Sequence, residues 1–225
     1  MAGRCLLYYI TDRKAFPGDE LARRQAVLQK IAEAARCGID YIQLREKDLS
    51  GRELETLGRE AVQTIANCAR PAGQQRRSLL LINSRTDVAM TSGADGVHLR
   101  SEDVLPGDAK DAWERGARAG SQRKTLIGVS CHTVEEVARA ASQSADFAVI
   151  APVFEKKDAP GEKLARVNVL RAACRASIPV LALGGVTLEN AASCLDAGAA
   201  GVAAIRLFQE NEIAEVVRKL RRSIG

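Results

Sequence analysis

The segment Tyr41-Ile-Gln-Leu-Arg-Glu-Lys47 carries an amide and two cations at every second position. If it is a strand, alternation puts Gln43, Arg45 and Lys47 on one side while Ile42 and Leu44 pack on the other. That set suits a polyanion, because charge-assisted hydrogen bonds from cations to phosphate oxygens are the strong ones. Asn83, leaving the apolar run of Leu80-Leu-Ile-Asn-Ser-Arg-Thr-Asp87, can donate to a phosphate oxygen or cap a helix. Gly128-Val-Ser-Cys-His-Thr133 presents the hydroxyl of Ser130 and the imidazole of His132 together. Ala94-Asp-Gly-Val-His-Leu-Arg-Ser-Glu-Asp103 places His98 on a short apolar run and Asp103 beyond its end, where a carboxylate can hold Mg²⁺ or cap a helix. Val180-Leu-Ala-Leu-Gly-Gly-Val-Thr187 ends an apolar run in Gly184 and Gly185 before a helical pattern. Exposed backbone N–H groups there can cradle a phosphate, and the alternative is an ordinary tight turn.

These residues are useful only if their segments end at one place. Short aliphatic or β-branched runs at Leu6–Thr11, Ile39–Leu44, Leu79–Ile82, Gly96–Leu99, Thr125–Val129, Phe147–Ile150, Val180–Leu183 and Gly201–Ile205 alternate with amphipathic stretches. The stretches fall near 20–36, 51–68, 86–92, 108–119, 133–143, 165–176, 187–197 and 211–222. Alternation predicts a parallel sheet, and this number of runs predicts an α/β fold closed as one (β/α)₈ TIM barrel, a single domain over residues 1–225. Thr133-Val-Glu-Glu136 reads as a capping box. Gly38, Gly93 and Gly198 stand where left-handed helix exits are needed. Arg70–Ser78 and Glu155–Lys163 read as loops, the second on the C-terminal face, where barrels do their chemistry.

Lysine and arginine total 33 against 28 acidic residues, a formal charge of +5. The excess is spread through helical segments, and the clusters Arg76–Arg77 and Arg218–Arg222 lack interleaved aromatics, so they read as solvated faces and not as a nucleic-acid surface. A modest positive field suits anionic substrates. The six cysteines lie far apart without a C-x-x-C pair and read as small buried side chains. Neither a signal peptide nor a membrane-length apolar run is visible, so the expected setting is cytoplasmic with no membrane partner. A homo-oligomer is compatible with this reading.

In order and spacing, Ile10-Thr-Asp12, Gln43-Leu-Arg-Glu-Lys47, Asn83-Ser-Arg85, Ala94-Asp-Gly-Val-His-Leu99, Ile127-Gly-Val-Ser-Cys-His-Thr133, Pro152-Val-Phe154 and Leu183-Gly-Gly-Val186 resemble the thiamine phosphate synthase/TenI family. The likeness runs from about Tyr8 to Phe208. The synthase branch implies joining of hydroxymethylpyrimidine diphosphate to thiazole phosphate with release of pyrophosphate. On that pattern Gln43 contacts the pyrimidine, and Arg45, Lys47, Asn83 and Lys156 hold the diphosphate. Ser130 assists the leaving group, Gly184 and Gly185 hold the thiazole phosphate, and Asp103 serves Mg²⁺. The chain departs from the pattern at Ser84, where the family has a second carboxylate, in the loop after Phe154, and at Arg206, where a serine is usual. The TenI branch implies a thiazole tautomerase with His132 as acid and base, and a non-catalytic phosphate-ligand-binding paralogue is a third reading.

Overall fold

A computed structural model describes residues 5–68, 77–116, 125–154 and 160–222. Eight strands form a closed barrel in chain order: β1 Leu6–Ile10, β2 Tyr41–Leu44, β3 Leu79–Asn83, β4 Gly96–Leu99, β5 Leu126–Cys131, β6 Phe147–Ile150, β7 Val180–Ala182 and β8 Gly201–Ala204. All neighbours are parallel, with β1 closing on β8 through Leu6 opposite Gly201. The crossovers run through α1 Glu20–Cys37, α2 Gly51–Ala66, α3 Thr86–Ser92, α4 Pro106–Gly116, α5 Val134–Ser142, α6 Pro160–Ala173 and α7 Ala191–Asp196. α8 Arg206–Gln209 and α9 Ile213–Arg222 follow the last strand.

Local chemistry sets several of these ends. Asp19 accepts from the amide of Ala22 to start α1, and Gly38 ends it at φ 80°, a left-handed value. Gly93 ends α3 at φ 77°. Ser50 and Glu53 form a reciprocal capping box at α2. At α5 the expected box is altered: Thr133 accepts from Glu136, while the Glu136 carboxylate reaches the amide of His132, one residue further back.

Several helices differ from the expected stretches; α4, for one, runs over Pro106–Gly116. α6 starts at Pro160, and α7 is confined to Ala191–Asp196. The latter is shortened because Asn190 bonds the Thr187 amide and the Gly185 carbonyl, at 2.8 and 2.9 Å, so the chain turns before it coils. α8 is a separate short helix that periodicity over 211–222 does not reveal.

The strand alternation divides the core in two. Ile42, Leu44, Leu80, Ile82, Val97 and Ile127 face outward and pack with the helices. Tyr8, Ile10, Leu81, Phe147, Val149, Leu181 and Ala203 fill the barrel interior. Tyr8 meets Tyr41 and Phe147 edge-on with ring centroids 5.8 and 5.6 Å apart. This aromatic layer closes the barrel beneath the C-terminal mouth, so polar residues of inward parity farther along the strands form a floor above it.

Candidate active site

That floor is a polar run across four adjacent strands. Gln43 on β2 donates from its amide to Asn83 Oδ1 on β3 at 2.9 Å. Asn83 pairs in register with His98 on β4. His98 Nε2 lies 2.8 Å from Ser130 Oγ on β5, and His98 Nδ1 lies 3.1 Å from the Tyr8 hydroxyl. His98 is buried, and burial, reinforced by the Arg45 charge and opposed by Asp103, pushes its pKa down to about 3. It is therefore a neutral imidazole at physiological pH. Gln43 Oε1 is also buried, and among the described residues it has no hydrogen-bond partner.

Arg45 and Lys47 follow β2 on the rim, half-buried and exposed respectively. Neither side chain forms an ion pair or hydrogen bond among the described residues. The backbone that carries them is held firmly. The Arg45 amide donates to Thr11 Oγ1 at 3.0 Å, and Thr11 in turn donates to the buried carboxylate of Glu46. The Arg13 guanidinium grips Asp48 through two nitrogens at 2.7 and 2.9 Å and reaches Glu46 at 3.3 Å. Burial raises the pKa of Glu46, while hydrogen bonds from Thr11 and Arg13 pull against that rise. Alternation leaves Arg45 toward the mouth and turns Glu46 into this brace.

Asp103 sits in the loop after β4 with both oxygens engaged. Its Oδ2 accepts from the Arg100 amide at 2.8 Å, and Oδ1 accepts from the Arg100 side chain at 3.0 and 3.2 Å. Although burial opposes it, hydrogen bonds from Arg100 and the Ser84 hydroxyl hold the Asp103 carboxyl below its ordinary pKa. Ser84, at φ 60°, also accepts from Asn83 Nδ2 at 3.1 Å. Beside Ser130, a pocket runs under this loop between Asp103, Val104 and Arg139.

On the opposite arc of the rim, Gly184 and Gly185 have φ values of 96° and 60°. A Cβ on Gly184 would stand 2.8 Å from Pro152 Cα, and one on Gly185 would stand 2.5 Å from the Phe154 carbonyl oxygen. The glycines are thus required by the close approach of the β6 exit, where Val153 and Phe154 donate to Leu183 and Gly184 at 2.9 and 3.0 Å. They do not open directly into a helix, as the sequence pattern suggests. Arg206 begins α8, is exposed, and has no side-chain partner among the described residues. His132 is exposed just past β5, with Nδ1 2.7 Å from the Ala151 carbonyl. Lys156 lies outside the described residues.

A family model described as thiamine monophosphate synthase matches residues 7–208. The chain belongs to that family. It is 37% identical to the thiamine-phosphate synthase of Methanoculleus marisnigri over 97% of this chain and 95% of that one. It is 39% identical to a putative thiamine-phosphate synthase of Geobacter sulfurreducens over 88% and 84% of the two chains. Among solved structures, the thiamine phosphate pyrophosphorylase of Pyrococcus furiosus superimposes with a TM-score of 0.74 at 27% identity, covering 97% and 95%. A 3-hexulose-6-phosphate synthase, at 15% identity and a TM-score of 0.63, shares the fold alone.

Within this member of the thiamine monophosphate synthase family, the motifs do not reveal the roles of several contributors, Glu46 included although it lies within one of them. Tyr8 reads as a core aromatic, yet its hydroxyl enters the polar floor. Gln209 takes a hydrogen bond from Tyr9 at 2.9 Å and donates to the Asp12 carbonyl at 2.7 Å, fixing α8, and with it Arg206, against β1. Arg13 and Glu46 brace the cationic turn. Inward parity would have drawn attention to Tyr8; nothing local marks the other three.

Proposed function

We propose that this chain is a thiamine phosphate synthase, a transferase that joins hydroxymethylpyrimidine diphosphate to thiazole phosphate and releases pyrophosphate. The observation that carries the reading is the buried carbonyl of Gln43, unpartnered among the described residues, with the cations Arg45 and Lys47, also without side-chain partners among them, following on the same strand exit. A buried acceptor without a donor is costly, and a ligand that brings an amino group relieves it. An aminopyrimidine bearing a diphosphate supplies both the donor and the anion.

In the reaction the carbon–oxygen bond to pyrophosphate breaks and its electron pair leaves with the pyrophosphate. The lone pair of the thiazole nitrogen then forms the new carbon–nitrogen bond. No general base is needed for that attack. The protein's task is to place the two rings and to stabilise negative charge growing on the leaving group. Gln43 orients the pyrimidine end, while Asn83, Arg45 and Lys47 are assigned to the diphosphate and Ser130 to the departing oxygen. The Gly184–Gly185 turn and Arg206 lie on the rim after β7 and β8, where a second phosphate is suited to sit. Lys156, in the loop after β6, is assigned to the diphosphate by family resemblance.

The family implies Mg²⁺, but the described residues do not make a good cage for it. Such a site is built from carboxylate and other oxygen ligands. Here Ser84 is neutral, Asp103 is already paired with Arg100, and among the described residues no group of three or more His, Cys, Asp or Glu side chains gathers to hold a metal.

A second reading, thiazole tautomerase, has one observation in its favour. His132 is exposed at the rim and its Nδ1 is held by the Ala151 carbonyl, which orients the ring and leaves Nε2 as the atom available for proton transfer. Soluble, cytoplasmic action as a single barrel fits small phosphorylated substrates, and no described helix is long and apolar enough to cross a membrane. The deciding experiment supplies both synthase substrates with and without Mg²⁺ and assays thiamine phosphate. Its formation supports the synthase; its absence, with turnover of a thiazole carboxylate phosphate, overturns it.

A further inference from the structure

We propose that Tyr8 and His98 are positioning residues that fix Ser130 as a hydrogen-bond donor toward the barrel mouth. The inference rests on the reading of Ser130 as a contact to the leaving group, and it concerns which way the proton of that hydroxyl points.

Four atoms decide it. Tyr8 is fully buried, and its hydroxyl has His98 Nδ1, 3.1 Å away, as its hydrogen-bond partner among the described residues. A buried O–H that donates to nothing is costly, so the phenol donates and Nδ1 accepts. A neutral imidazole carries one proton, which must then reside on Nε2. Nε2–H in turn donates to Ser130 Oγ at 2.8 Å. With that lone pair occupied, the Ser130 proton is directed away from His98 and into the half-open mouth, where an anionic oxygen can take it. The opposite tautomer would strand the Tyr8 proton in the apolar interior and turn the Ser130 proton inward. The aromatic layer of Tyr41 and Phe147 clamps the Tyr8 ring at one end of the relay.

Tyr8→Phe removes the one oxygen and keeps the ring, so packing against Tyr41 and Phe147 survives. The chain has two histidines, so ¹⁵N-histidine-labelled His132→Asn protein reports His98 alone. The expected spectrum shows protonation at Nε2, and adding Tyr8→Phe yields a mixture of tautomers. In turnover, Tyr8→Phe lowers kcat about tenfold with little change in KM, as expected for one misdirected hydrogen bond, and has no further effect in a Ser130→Ala background. An Nδ1-protonated His98 in the otherwise unaltered relay would overturn the proposal, as would a Tyr8→Phe loss that multiplies fully with Ser130→Ala. The tautomer measurement needs no substrate, so failure of the synthase reading would leave it intact and distinguishable.

Discussion

Gln43 donates its amide to Asn83 across neighbouring strands, 2.9 Å away, and its own buried carbonyl has no partner among the described residues. The pair therefore presents an acceptor at a fixed height in the mouth. Gln43→Leu fills the same space without an acceptor. It is expected to weaken binding of hydroxymethylpyrimidine diphosphate by about 1–3 kcal/mol, the typical cost of stranding a buried polar partner, with inorganic pyrophosphate binding little changed. Calorimetric titration with both ligands checks this; equal losses for the two would assign Gln43 to the anion instead.

Stability should fall on acidification because of His98. Its pKa is near 3 in the folded state and 6.5 as the ordinary value, so below pH 6.5 the unfolded chain takes up a proton that the folded chain refuses. The stabilisation is complete above 6.5 and declines by at most about 1.4 kcal/mol per pH unit toward pH 3. Urea unfolding at several pH values should show this decline in the parent protein. A His98→Asn variant should have a lower stability at neutral pH and a shallower slope in acid.

The donor set around Asp103 makes a prediction about metal. The parent protein should show little change in melting temperature on addition of MgCl₂ alone, because Asp103 is engaged by Arg100 and Ser84 brings no charge. Ser84→Asp combined with Arg100→Ala supplies a second carboxylate and frees the first. Aspartate tolerates the left-handed backbone at position 84 better than most residues do. The double variant should gain measurable heat on Mg²⁺ titration; a strong Mg²⁺ response in the parent would show that other ligands complete the site.

Gly185→Val should be severe for two separable reasons. The side chain would strike the Phe154 carbonyl, 2.5 Å from the new Cβ, and φ 60° is strained for a β-branched residue. A loss of at least about 1–3 kcal/mol in urea unfolding is expected, together with loss of thiazole phosphate binding in calorimetry. Unchanged phosphate affinity in the surviving folded fraction would mean that the anion sits elsewhere on the rim.

The limits of sequence reading follow from the range of each signal. Strand bounds are legible because parallel strands buried on both faces read as short apolar runs, and β4 and β6 are found over the expected Gly96–Leu99 and Phe147–Ile150. Gln43, Asn83 and Ser130 are legible as site candidates because they are polar residues in or just after such runs, and parity and chain direction place them at one end. The fate of Asp103 is not, because Arg100, three residues away, competes for it through a loop shape that periodicity does not encode. The Arg13–Glu46 brace and the Gln209 latch join residues 33 and 197 positions apart, and such bonds are fixed only once the barrel closes.

The two candidate chemistries ask different things of the rim, so paired variants can separate them. A synthase must stabilise charge on departing pyrophosphate, and Arg45 is a half-buried cation of inward parity with no competing partner among the described residues. Arg45→Ala should remove one charge-assisted contact, of order 2–4 kcal/mol in transition-state stabilisation, or roughly 30- to 1000-fold in rate. The Thr11–Glu46 brace holds the backbone of residue 45 through its amide, so the truncation leaves the turn in place. His132→Asn should cost little in that reaction, because thiazole nitrogen attacks without losing a proton. A tautomerase reverses the order: its chemistry is proton transfer at Nε2 of His132, and losing such a group typically costs about 10²- to 10⁴-fold. Both variants are assayed on both substrate sets as ratios to the parent. Loss of thiamine phosphate formation in Arg45→Ala, with near-parental rates in His132→Asn, is the outcome expected here. The opposite pattern on the thiazole carboxylate substrate would assign the tautomerase, and ligand binding without turnover in the parent would assign a binding protein.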